Sequence, residues 1–190
     1  MKKTTKNLTL SAMFMAVGMV LPFLTGQIQQ IGNMLLPMHL PVFLCGLICG
    51  WQYGAATGFV LPLLRSVTFG MPPLFPTATA MAFELATYGL VAGLFYGRSR
   101  WQCVIALYRS LIAAMLAGRI VWGAVQIVLL GLSGSSFTWQ MFMAGAFLNA
   151  VPGIILQLVF IPALMVALNK TGLVRFHSEQ KVAVKAGQGL

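Results

Sequence analysis

Read along the chain, long apolar stretches alternate with short polar breaks, and most of the charged residues sit in the breaks. The apolar stretches fall at about 8–26, 38–50, 53–68, 77–97, 102–132 and 138–168. A helix rises about 1.5 Å per residue and the hydrocarbon layer is about 30 Å thick, so one crossing takes about 20 apolar residues. The pattern predicts an all-α membrane protein, a compact bundle of six transmembrane helices with the second and third spans short and the last two long. Residues 1–170 form the membrane domain and 171–190 a basic tail, where the apolar run stops at "FHSEQKVAVKAGQGL". Residues 1–26 have a basic start and an apolar core but no small-x-small cleavage site, so this segment is expected to remain as the first span. No duplicated half is visible, which argues against inverted repeats.

The distribution of Lys and Arg orients the bundle. Lys2, Lys3 and Lys6 precede the first span, Arg98 and Arg100 follow the fourth, and Lys170, Arg175, Lys181 and Lys185 follow the sixth. Six crossings put all of them on one side, whereas the breaks at 27–37, 69–76 and 133–137 carry no Lys or Arg. The positive-inside rule then places both termini in the cytoplasm and those three loops outside. Pro72, Pro73 and Pro76 stiffen the second of them.

Composition fixes the class. The 190 residues are 59% hydrophobic and 7% charged, where a soluble domain is about a quarter charged, and mean hydropathy is +0.89. The net charge of +10, from 12 Lys and Arg against 2 acids, would raise nucleic acid in a soluble protein. Here the bases end apolar runs beside lipid headgroups, so the partner is membrane lipid and not nucleic acid. Cys45, Cys49 and Cys103 read as small core residues, with no disulfide or metal implied.

Arg65, Glu84 and Arg119 are the expensive residues inside the spans, since a charge at membrane depth costs a few kcal/mol. Arg65 in the third span and Glu84 in the fourth lie at similar depth, and Glu84 is expected to be neutralised by Arg65. Arg119, Trp122 and Gln126 share one face of the fifth span, joining a cation, an aromatic plate and an amide in a set that suits a small organic anion. Tyr88 follows Glu84 by one helical turn, and Asn149 stands beside Pro152 and Gly153, where a helix can kink. His39 lies between Pro37 and Pro41 at the start of the second span, as a helix-start residue or a gate over a ligand. Each of these polar groups could instead lock helices together. With Glu84 and Glu179 the only acids and no Walker motif, the chain lacks an enzyme's acid/base or metal set, cannot hydrolyse ATP itself, and calls for no cofactor. Ala12, Ala16 and Gly18 make a small-residue seam on the first span.

"LLPMHLPVFLCGLICG" at 35–50 and "PLLRSVTFGMPPLFPTATAMAFELATYGLVAGLFYGR" at 62–98 resemble the substrate-binding S-components of energy-coupling factor (ECF) vitamin transporters, and the likeness extends over nearly all the spans. The resemblance implies a six-helix subunit in the bacterial cytoplasmic membrane that binds a vitamin on its outer side under the first outer loop. It also implies docking on a shared module, a membrane coupling protein with two cytoplasmic ATPases, through an A-x-x-x-A motif that Ala12 and Ala16 match. Delivery by toppling in the membrane is implied in the same way. The run through His39, Arg65 and "MAFELATYGL" looks most like the pantothenate S-components, with hydroxymethylpyrimidine and pyridoxine S-components as close alternatives. For pantothenate, Arg119 would take the carboxylate, with Arg65 second, and Asn149, Tyr88 and Gln126 would serve the hydroxyls and amide. The contrasting expectation is a structural membrane subunit that transports nothing.

Overall fold

The computed structural model describes residues 3–25, 37–99, 103–132, 134, 138–145 and 150–170. Among them are seven α-helices and no strand: α1 (Lys3–Val20), α2 (His39–Cys49), α3 (Trp51–Phe69), α4 (Thr79–Arg98), α5 (Val104–Leu132), α6 (Trp139–Met143) and α7 (Val151–Lys170). A 3-10 turn, Leu21–Thr25, extends α1, and a π turn, Leu74–Ala78, leads into α4.

Four of these segments are long and apolar enough to cross a bilayer: Thr4–Phe23, Leu74–Arg98, Val104–Leu132 and Val151–Lys170. The 11 residues of α2 reach only about 16 Å, half a hydrocarbon layer. The 19 residues of α3 are long enough, but Gln52, Thr57, Arg65, Ser66 and Thr68 keep it less apolar. The single sixth helix expected over 138–168 is corrected to two segments, α6 and α7. Pro152 is the second residue of α7, where its missing N–H costs nothing, whereas Pro162 lies inside the same helix.

Hydrocarbon provides no hydrophobic drive between helices, so close packing of small residues holds such a bundle together. Here α2, α3 and α4 meet backbone to backbone. A Cβ added to Gly89 of α4 would lie 2.3 Å from the carbonyl of Gly54 on α3, and one on Gly46 of α2 would lie 2.5 Å from the Gly89 oxygen. α2 turns into α3 through the single residue Gly50, whose φ of 103° favours glycine. On the other side of α2, Cys45 Sγ donates to Ser11 Oγ of α1 and shares a 3.4 Å contact with Thr57 Oγ1 of α3. Asn7 Nδ2 donates to the Cys49 carbonyl at 3.0 Å.

The buried core runs through Val42, Phe43, Leu61, Leu85, Leu107, Leu111, Ile161 and Met165. The opposite face of α5 exposes Ile112, Leu116, Ile120 and Ile127. A continuous apolar face of this kind is stable against lipid and not against water, and with the four crossing helices it makes this a membrane protein.

Candidate functional site

Glu84 lies in the second turn of α4 and Tyr88 one turn further on, so the two side chains share a face. Tyr88 Oη donates to Glu84 Oε1 at 2.8 Å. Arg119 Nη1 of α5 stands 2.9 Å from the same oxygen. All three residues are buried, with exposures of 2%, 1% and 6% for Glu84, Tyr88 and Arg119.

A glycine makes this meeting possible. A Cβ at Gly118, the neighbour of Arg119, would fall 2.3 Å from Tyr88 Cε1, so only a bare backbone lets α5 come close enough to α4 for the ion pair to form. Tyr88 is held from the other side by Phe43, stacked at 5.0 Å between ring centroids, and by His39 at 5.3 Å. His39 is thus buried at the start of α2, inside the bundle and not at an exposed rim.

The expected pairing of Glu84 with Arg65 is corrected. Leu61 and Arg65 are one turn apart on α3, and Leu61 is the side chain that a Cβ on Gly18 of α1 would strike. Gly54, Gly58, Leu61 and Arg65 follow one face of α3, and the neighbour of that face changes along the helix: Gly54 lies against Gly46 of α2 and Gly89 of α4, Gly58 against Leu85 of α4, and Leu61 against α1. Arg65 Nη1 therefore donates to the Met19 carbonyl, and its guanidinium lies 5.1 Å from the Phe23 ring and 5.3 Å from the Phe69 ring. Arg65 ties the end of α1 to α3, apart from the Glu84 cluster.

Gln126 follows Arg119 by two turns on the buried face of α5. Trp122, between them, is half-buried, with its ring 6.3 Å from Phe142 beyond α5. Asn149 lies outside the described residues. Gln157 is a residue that sequence reasoning missed: it shares the buried face of α7 with Gly153, Ile161 and Met165 and is 1% exposed. Its signal was an amide in the middle of "IILQLVFIP", where nothing polar is needed to end a helix.

Several buried polar atoms have no hydrogen-bond partner among the described residues: Arg119 Nε and Nη2, Gln126 Oε1 and Gln157 Nε2. Buried polar groups are almost always satisfied, so orphans of this kind mark a place for something else. Arg119 and Gln157 offer N–H donors and Gln126 an acceptor, on α5 and α7, two helices that pack against each other, and Arg119 forms with Glu84 an ion pair of no net charge. No group of three or more His, Cys, Asp or Glu that could hold a metal occurs among the described residues. A separate cleft lined by Thr4, Asn7, Cys49, Gly50, Trp51, Gln52 and Tyr53 opens at the opposite end of α2 from His39.

The small-residue seam of α1 divides between two faces. Ser11 and Gly18 are buried against the bundle, whereas Ala12 and Ala16 are exposed on the far side with Met13 and Val17.

A family model described as "ECF transporter, substrate-specific component" matches residues 6–168, nearly the whole described chain. No curated protein and no solved structure matches.

Proposed function

The chain belongs to the family of ECF transporter substrate-specific components, and from that premise we propose that it captures a small vitamin from outside the cell and delivers it inward by docking on a coupling module. Membership makes it a transporter's substrate-binding subunit and not an enzyme. In this reading the bundle crosses the bacterial cytoplasmic membrane six times with both termini inside, α2 and α3 completing the set. Energy comes from the module, a membrane coupling protein with two ATPases. Ala12 and Ala16 form the docking face, since a stripe of small side chains left uncovered on α1 lets another helix approach closely. The vitamin contacts Arg119, Gln126, Tyr88 and Trp122, with Asn149 and His39 at its margin, and pantothenate, hydroxymethylpyrimidine and pyridoxine are the candidates.

The observation that carries this reading is that Arg119 Nε and Nη2, Gln126 Oε1 and Gln157 Nε2, all buried on α5 and α7, have no hydrogen-bond partner among the described residues. A bundle built only to hold itself together gains nothing from leaving them unpaired. The pairing of Glu84 with both Tyr88 and Arg119 favours the second reading, a helix lock in a structural subunit. The double variant Glu84→Gln/Arg119→Met separates the two, because removing both ions together spares the fold. Uptake of the three radiolabelled vitamins is measured in cells holding the coupling module. Loss of uptake by a variant still folded in the membrane supports capture; wild-type protein that takes up none of them sinks it.

A further inference from the structure

The ion pair itself narrows the ligand. Arg119 is the cation of the cluster, and its Nη1 is already committed to Glu84 at 2.9 Å. Arg65 of α3 is turned toward Met19, Phe23 and Phe69, and Arg109, the other cation of α5, is exposed. A carboxylate brought to Arg119 would therefore place two anions on one cation and leave a net negative charge in a water-poor interior, which is strongly unfavourable. A neutral acceptor atom meets no such cost, since it can receive the Nε–H or Nη2–H of Arg119 and leave the charge balance unchanged.

We propose that this site takes an electrically neutral, hydrogen-bonding small molecule, and that Gln126 and Gln157 read its polar groups alongside Arg119. The assignment rests on the capture reading above and deepens it by naming the ligand's charge class and a further specificity residue. Gln126 Oε1 accepts from a ligand O–H or N–H, Gln157 Nε2 donates to a ligand oxygen or ring nitrogen, and Arg119 donates to a second acceptor. Arg119 and Gln126 are seven residues apart on one face, about 10 Å along the axis, which a one-ring molecule bridges with the reach of both side chains. Gln157 is buried on α7, which packs against both α5 and α2, and in this proposal it supplies the third contact. The sequence alone pointed to an anion because it left Arg119 unpaired; the pairing with Glu84 reverses that preference.

The test is calorimetric titration of the purified full chain in lipid nanodiscs with two neutral probes, hydroxymethylpyrimidine and pyridoxine, and one anionic probe, pantothenate. At least one neutral probe is expected to bind about 10-fold or more tighter than pantothenate. Gln157→Leu should weaken the neutral probe about 10-fold, the effect of a lost hydrogen bond to a buried group, without lowering the melting temperature. Glu84→Gln should raise affinity for pantothenate relative to the neutral probe, because it frees the positive charge of Arg119; a purely structural carboxylate would not produce that switch. Tightest binding of pantothenate to the wild type would overturn the neutral-ligand assignment and leave capture standing. Binding of none of the three by folded protein would overturn both.

Discussion

Replacing Arg119 with methionine, a side chain of similar length without charge, leaves Glu84 buried beside Tyr88 with its cation gone. At the observed 2.9 Å and an effective dielectric of about 20, the direct attraction is about 6 kcal/mol. Taking both ions out of water offsets most of that, so the intact pair contributes little net stability. Removing one partner is different, because the other keeps its desolvation cost without compensation, a loss of about 3–5 kcal/mol. Arg119→Met and Glu84→Gln should each destabilise the protein, Arg119→Met by that amount. The double variant should return to within about 1 kcal/mol of the wild type, since no unpaired ion remains. Reversible unfolding in mixed micelles, followed by tryptophan fluorescence, gives the four corners of the cycle and hence the coupling energy. Two outcomes would refute the reasoning: an Arg119→Met loss below about 1 kcal/mol, or a double variant whose loss equals the sum of the two singles. Either would mean that the two side chains do not share one buried contact.

Gly118→Ala should cost about 1–3 kcal/mol, because its methyl meets a Tyr88 ring pinned by Glu84, Phe43 and His39. Gly97→Ala, with nothing within 4 Å of the added carbon, should leave stability unchanged or raise it by up to about 1 kcal/mol; thermal melts of the two variants check the contrast. Gly89→Val should fail to yield folded protein, since its side chain would enter the backbone of Gly54, and size-exclusion profiles after extraction would reveal this. Ala12→Trp and Ala16→Trp should leave the isolated subunit's melting temperature unchanged, because both sites are exposed, yet abolish co-purification with the coupling module; retained co-purification would refute the docking role. Cys103, half-buried, should react with a small maleimide faster than the buried Cys45 and Cys49, as mass spectrometry after timed labelling would report.

Local chemistry alone determined the class of this protein. Apolar stretches of the required length could only be helices in lipid, because hydrocarbon leaves a backbone no partner outside its own segment. The same signal placed α5 nearly to the residue and singled out Glu84, Tyr88, Arg119 and Gln126, since polar groups are conspicuous where almost everything else is apolar. Span length was less legible. Mean hydropathy does not register where an apolar run is interrupted, so 138–168 read as one helix where the chain makes α6 and α7.

Which polar groups meet was decided only by tertiary structure. Arg65 and Glu84 matched in depth, but depth says nothing about the direction in which a helix presents a side chain. What each side chain meets followed from the packing along the helix: Gly54 and Gly58 seat one part of α3 on α2 and α4, Leu61 and Arg65 on the same face reach α1 further along, and Gly118 lets α5 bring Arg119 to Glu84. The sequence contains all of these glycines, yet each acts through the backbone it allows to approach, and the identity of that backbone is a property of the assembled bundle. Gln157 became visible for the same reason, because an amide in an apolar run gains meaning only once its face is seen to turn inward, with its Nε2 unpartnered among the described residues.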